Sequence, residues 1–419
     1  MSLRLRPPSG VGRPDHPLDS LCAILRLGAG EADLAALRQA MGQGRIDWEA
    51  TALLANQHLL LPALWPALVE KKLAMSLPPA LRRHLSQQAA RQGRGRNVLL
   101  ALEDIHLANA ERNAQIRAQA LEAIAALNGA GIEPAALKGT RLLLDGDSPF
   151  GWARVLRDID LVVRFGDWPK AEAALAKAGY RRTGADANAA SFLCDRGRVE
   201  IDLHRRPLSL HEPAELPSYL TEDGFWQRTV AVDRPDGRYR QLPPAERLVH
   251  SILHTEIADL NFAAGDWPLR YLYETAVTSR DPTVRIDWSV VNGVAGEGLA
   301  LPLRAHLHAA NRLFDGASGG GPDESSQVRR HFWRCRVIAR YPRSVRRVSM
   351  LIYKSRQAMA PWYLRRKGYL AASPGREAAP TELWRARLRS LASLLGRHGA
   401  RLPTLLFGAD HDSVPPPRV

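Results

Sequence analysis

Two aspartates stand two residues apart, Asp158 and Asp160, within LRDIDLVVRF (156–165). Side chains alternate along a strand, so this pair shares one face while Ile159 and Leu161 share the other. Carboxylates that close repel, and one stays protonated unless a cation lies between them. A hard divalent ion suits the pattern; Mg²⁺ is commonly held by one or two carboxylates together with substrate phosphates. A second segment, RVEIDLHRR (198–206), has the same phase. Glu200, Asp202 and His204 form its polar face, and Val199, Ile201 and Leu203 its apolar one. If the two segments are neighbouring strands, Asp202 completes a cluster of three acids, enough to hold two metals.

Upstream, Lys138-Gly139-Thr140 stands where a short apolar run, PAAL, turns into the helical TRLLLDG. Glycine permits close backbone approach, and a helix N-terminus offers free N–H groups to a phosphate. Thr140 adds a hydroxyl and is expected to cap the helix. Lys138 or Arg141 adds positive charge. Together these parts describe a triphosphate site beside a metal site.

The elements that must position these residues are legible from periodicity. Residues 18 to about 128 have apolar positions recurring at three or four, as in EADLAALRQAM and the long NVLLALEDIHLANAERNAQIRAQALEAIAALNG, which predicts helices. Asp167-Trp168-Pro169 predicts a helix capped by Asp167, with proline in its first turn and Gly179 ending it. SFLC and RVEIDLHRR flank DRG as one hairpin, and RTVAV and GRYRQL flank RPDG as another. From Pro244 the helical period returns, followed by a Gly/Ser-rich linker (315–327), a basic segment and a Pro-rich tail.

Three motifs in order, ALKGTRLL, RVLRDIDLVV beginning at Arg154, and VEIDLHRRP, resemble the bacterial uncharacterised nucleotidyltransferase family within the DNA polymerase beta-like superfamily. The resemblance implies an α+β fold: a polymerase-beta-like core with a small mixed sheet, flanked by helical domains. It implies an N-terminal helical region (1–110), a nucleotidyltransferase core (111–242), a helical domain (243–316) and a C-terminal basic region outside the resemblance (317–419). The implied activity moves an NMP group from an NTP, ATP included, to an acceptor, with Mg²⁺ or Mn²⁺ as cofactor and pyrophosphate released. The acceptor, whether protein, RNA, small molecule or peptide, is not identified by these motifs. Asp158, Asp160 and Asp202 fall on the metal and catalytic acids, and Gly139 and Thr140 on the phosphate loop. Lys138, Arg154 and His204 match the narrower family's pattern at the nucleotide. His254, Arg270 and Glu274 fall on polar positions of that pattern, expected along the substrate cleft. The departure is Lys-Gly-Thr where the superfamily carries Gly-Gly/Ser.

Other readings compete. A glycosyltransferase can use Asp-x-Asp to hold Mn²⁺ and a nucleotide-sugar, but it needs neither the Lys-Gly turn nor Asp202. A non-catalytic nucleotide-binding protein could retain the site for interaction alone. His250 and His254 are spaced four apart on one helix face, yet lack a glutamate in the metalloprotease position; His250 reads as a core histidine. Arg157 reads as a surface residue.

The net charge is +15, and the segment 325–371 holds thirteen Lys or Arg and no Asp or Glu. Its arginines alternate with Phe332, Trp333, Tyr341, Tyr353, Trp362, Tyr363 and Tyr369, a composition suited to RNA or to an anionic membrane surface. Docking of the same aromatics on the acidic core is the plainer alternative. No apolar run reaches the ~18 residues of a membrane span, and no apolar stretch follows the basic N-terminus as a secretory signal requires. Cys22, Cys194 and Cys335 are odd in number and far apart, which argues against a disulfide framework and for a reducing cytoplasm.

Overall fold

A computed structural model describes residues 16–74, 98–145, 149–185, 188–195, 199–208, 210, 216–294, 297–317, 323, 325–340, 382–387 and 389. The basic segment from 341 to 381, part of the Gly-rich linker, residues 1–15 and the Pro-rich tail lie outside the described residues.

Helices α1 (Pro17–Leu25), α2 (Glu31–Gly42), α3 (Trp48–Gln57) and α4 (Leu61–Glu70) form the N-terminal part. α1 begins where the His16 ring accepts the Leu18 N–H, with Pro17 at the first helical position. Asp47 caps α3 by accepting the Ala50 N–H at 2.9 Å. The 32-residue α5 (Val98–Gly129) runs unbroken through residue 110. Its Ile116, Ala120, Ala123, Ile124 and Leu127 are all buried and recur at three or four, so one stripe faces the sheet.

Among the described residues the sheet has seven strands: β1 (Ala135–Ala136), β2 (Asp158–Val162), β3 (Arg181–Ala185), β4 (Ala189–Leu193), β5 (Glu200–His204), β6 (Val230–Arg234) and β7 (Gly237–Gln241). They lie in the order β3-β4-β5-β2-β1-β7-β6. β2 and β5 run parallel, as do β1 and β7, while the remaining pairs are antiparallel. The chain thus has the mixed α+β architecture expected, including the β4–β5 and β6–β7 antiparallel pairs. β3 is exposed along its whole length, which explains why no apolar alternation announced it.

Two expected caps differ. The helix after Lys138, α6 (Lys138–Asp145), starts before Thr140, whose hydroxyl instead accepts the Asp160 N–H at 2.8 Å. β1 is too short to satisfy that N–H, and the threonine takes its place. Asp167 makes no side-chain cap for α8 (Trp168–Lys177), because it is already wound into a 3₁₀ turn over Phe165–Asp167. Pro169 in the first turn and Gly179 at φ +91 do delimit α8 as expected. Between these helices lies the five-residue α7 (Pro149–Ala153).

The two faces of β2 enter different cores. Ile159 and Leu161 join Ile201 and Leu203 in a cluster with the stripe of α5 and with Trp168, Ala171 and Leu175 of α8. Each such side chain contributes about 1.5–3 kcal/mol on burial. Val162, on the opposite face, joins a second cluster with Leu248, Val249 and Ile252 of α10 (Pro244–Leu253) and Leu299, Leu303 and Leu307 of α14 (Glu297–Phe314). Asp158 and Asp160 share this second face. Further described helices are α9 (Glu222–Arg228), α11 (Asn261–Ala264), α12 (Leu269–Arg280), α13 (Trp288–Asn292) and α15 (Ser326–Arg340).

The chain divides into two compact units. The first comprises Met1–Leu210, Ala214–Asp259 and Pro268–Phe332, and carries the sheet; the second comprises His211–Pro213, Leu260–Trp267 and Trp333–Val419. No described helix is long and apolar enough to cross a membrane.

Candidate active site

The parallel pairing of β2 and β5 sets Asp160 opposite Asp202, Asp158 opposite Glu200 and Val162 opposite His204. Five polar side chains from two strands therefore start on one face. They do not all stay together. Glu200 is exposed and accepts the Thr183 hydroxyl at 2.8 Å on the β3 side. Asp202 Oδ1 accepts the Ser191 hydroxyl at 2.6 Å from β4, which aims it. His204 presents Nε2 to Asp160 Oδ1 at 3.0 Å. Ligand atoms of Asp160, Asp202 and His204 come within 4.8 Å of one another, a group that can hold a divalent metal.

Asp160 is the centre of the arrangement and only 2% exposed. The Lys138 ammonium donates to the same Oδ1 at 2.8 Å. Burial opposes the Asp160 charge, but Lys138 and His204 outweigh it and hold the carboxyl far below the usual range. For Lys138 burial likewise works against the charge, and Asp160 reverses this, raising its pKa. Asp158 behaves oppositely. Burial first, then repulsion from Asp160 and Asp202, pushes its pKa up against the pull of Lys138. The acids outnumber the cation among them, which is the imbalance a divalent ion corrects. Asp160 Oδ2 has no protein donor among the described residues, and the donor set is rich in oxygen, so the residues fit a hard ion.

The turn carrying Lys138 is constrained. Lys138 has φ +46, a left-handed backbone that costs a non-glycine residue about 1 kcal/mol or more. A Cβ on Gly139 would stand 2.8 Å from Leu156 Cδ2 and 2.9 Å from Arg154 Nε, so only glycine fits without displacing them. The Leu137 N–H joins the Asp160 carbonyl at 3.2 Å, tying the turn to β2.

Arg154 lies beneath this turn rather than open to solvent. It is 5% exposed and forms an ion pair with Glu274 of α12, its guanidinium 5.6 Å from the Tyr271 ring centre. Arg270 donates to the Val155 carbonyl at 3.1 Å and to the Tyr271 hydroxyl at 2.8 Å. His254 pairs with Asp259 at 3.4 Å. His250 is buried, holds the Pro207 carbonyl at 2.7 Å and has its pKa pushed down to about 3, chiefly by burial. Arg157 is exposed.

Sequence reasoning missed the residues that place the strands. From α5, Asn113 donates to the carbonyls of Gly151 and Arg154 at 3.0 and 2.8 Å, and Asn109 to that of Trp152 at 2.7 Å. Arg112 holds the Leu156 carbonyl at 2.7 Å, and Gln119 binds both the carbonyl and the N–H of Val199, at 2.8 and 3.3 Å. The available signal was polar residues recurring on a face otherwise destined for the core. Ser191 had only its alternation within β4 to mark it.

Residues 94–315 match the family model described as uncharacterised nucleotidyltransferase, which spans the sheet, the acid cluster and helices α10 to α14. No curated protein and no solved structure gives a significant match.

Proposed function

The chain belongs to the uncharacterised nucleotidyltransferase family, and on that basis we propose that it transfers an NMP group from an NTP to a hydroxyl or similar acceptor, using Mg²⁺. The register of β2 and β5 carries this reading, because it brings Asp160 and Asp202 opposite each other beside the Lys138 ammonium. The core is proposed to be polymerase-beta-like. Asp158, Asp160 and Asp202 would hold the ion. When bound, it supplies charge neutralisation at the triphosphate and lowers the pKa of the attacking hydroxyl.

The chain's own residues do the rest. The start of α6 would offer backbone N–H groups to phosphate oxygens, Gly139 leaves room for Leu156 and Arg154 against that turn, and Thr140 fixes it to β2 through the Asp160 N–H. Lys138 is positioned to exchange Asp160 for phosphate. His204 orients Asp160, and Ser191 orients Asp202, which assists removal of the acceptor proton. Arg154 supports Gly139 from below and positions Glu274. The acceptor oxygen bonds to the α-phosphorus, the bond from that phosphorus to the bridging oxygen breaks, and pyrophosphate leaves.

The test uses NTPs labelled separately at the α- and γ-phosphates, incubated with the protein, Mg²⁺ and cell lysate. Label from the α-position alone should appear on acceptor, with pyrophosphate released. Transfer of γ-label, or of sugar from a UDP-sugar with none from any NTP, would overturn the reading.

A further inference from the structure

A cavity opens beside Lys138. Lys138, Arg141 and Leu142 of α6 line it, together with Arg247 and Ser251 of α10 and Thr278 of α12. Glu274 and Thr275 complete its α12 wall. Most charges here are already paired: Lys138 with Asp160, Arg141 with Asp145 at 2.9 Å, and Glu274 with Arg154. Arg247 is the exception. Its guanidinium closes no ion pair and makes no side-chain hydrogen bond among the described residues, and Arg141 lines the same cavity. Arg141 Nε is buried with no partner as well. Burial first, then the like charge of Arg141, lowers the Arg247 pKa to about 9. Arg247 and Ser251 are one helical turn apart and so share a face. Thr275 is occupied with His306 at 3.0 Å, which leaves the hydroxyls of Ser251 and Thr278 as donors without a partner among the described residues.

We infer that this cavity is an anion site for the terminal phosphates of the nucleotide donor, with Arg247 as its principal cation. The inference rests on the proposed nucleotidyl transfer and adds the residues that would take the donor's terminal phosphates. Lys138 touches both the acid cluster and the cavity, so a chain of phosphates that begins at the acids reaches Arg247 by passing Lys138. A terminal phosphate brings close to two negative charges and three acceptor oxygens, matching one unpaired guanidinium and two free hydroxyls. A nucleotide-sugar, whose last phosphate is esterified, lacks that dianion. The cavity therefore suits a donor that ends in a free phosphate.

Inorganic pyrophosphate is the probe, titrated calorimetrically into the metal-free full chain. Pyrophosphate should bind, and Arg247→Met should weaken it roughly 10- to 100-fold, the loss expected for a charge-assisted hydrogen bond. Arg247→Lys should recover part of the affinity. Removing a cation that has no partner leaves no buried charge stranded, so Arg247→Met should melt no lower than the parent protein. Phenylglyoxal labelling, mapped by mass spectrometry, gives a readout on the unaltered protein: Arg247 should react early and be protected by pyrophosphate. Equal pyrophosphate affinity in Arg247→Met, or labelling of Arg247 indifferent to pyrophosphate, would overturn the inference. Either result leaves nucleotidyl transfer itself standing, whereas pyrophosphate bound through Arg247 with no transfer from any NTP would remove the latter alone.

Discussion

The Lys138 ammonium and the Asp160 carboxylate lie 2.8 Å apart, with 14% and 3% of their side chains exposed. Each is the other's main reason for staying charged so far from water.

Asp160→Asn should therefore do two things. It removes a proposed metal ligand, abolishing transfer, and it strands the Lys138 charge, which costs roughly 3–5 kcal/mol. The double variant Lys138→Met/Asp160→Asn should regain most of that stability and none of the activity. Urea midpoints with parallel transfer assays separate the two effects; a single variant as stable as the parent would contradict the coupling.

Asp202→Asn provides the contrast. Asp202 accepts from the neutral Ser191 hydroxyl, which an amide oxygen can also satisfy, so folding should change by less than about 1 kcal/mol. Transfer should still fall roughly 100-fold or more. Unchanged turnover would remove Asp202 from the site.

Gly139→Ala tests the close approach at the turn. Its methyl group would press on Leu156 and Arg154, and overpacking of this kind costs typically about 1–3 kcal/mol. The same displacement tilts the turn holding Lys138, so the KM for NTP should rise more than kcat falls. Thermal melts and steady-state kinetics check both.

His250 makes stability depend on pH. Its folded pKa of about 3 lies below the roughly 6.5 of an exposed histidine, so the unfolded chain binds a proton the folded chain does not. Its contribution is fully present above the unfolded value and is lost as pH falls toward the folded one, by up to about 1.4 kcal/mol per pH unit. His250→Gln keeps an N–H for the Pro207 carbonyl and should flatten that slope. Denaturation curves at several pH values between 7 and 4 decide it, and identical slopes in the two proteins would count against the assignment.

The acids were legible in the sequence because a period of two decides which residues share a face, whatever the strand's neighbours. Asp158, Asp160, Asp202 and His204 needed only the further condition that β2 and β5 be adjacent, which they are. Thr140 was misread as a cap because its partner, the Asp160 N–H, lies 20 residues away and leaves no local trace. The family resemblance puts Arg154 at the nucleotide, while the ion pair that buries its side chain is with Glu274, 120 residues further on, and leaves no local trace. Asn109, Asn113 and Gln119 look like ordinary polar positions on a long helix until the loops they hold are seen against it.

Helix α5 also acts as a ruler. Arg112 grips the entry to β2 and Gln119 the entry to β5, so both strands are measured from a single rigid rod. A one-residue slip of β5 would turn Asp202 into the apolar core and bring Leu203 to the acids' side. The two hydrogen bonds between Gln119 and Val199 oppose that slip, whatever the chain between β4 and β5 does. The spacing of the acids is consequently set by helix α5 and not by the length of chain on that side of β5.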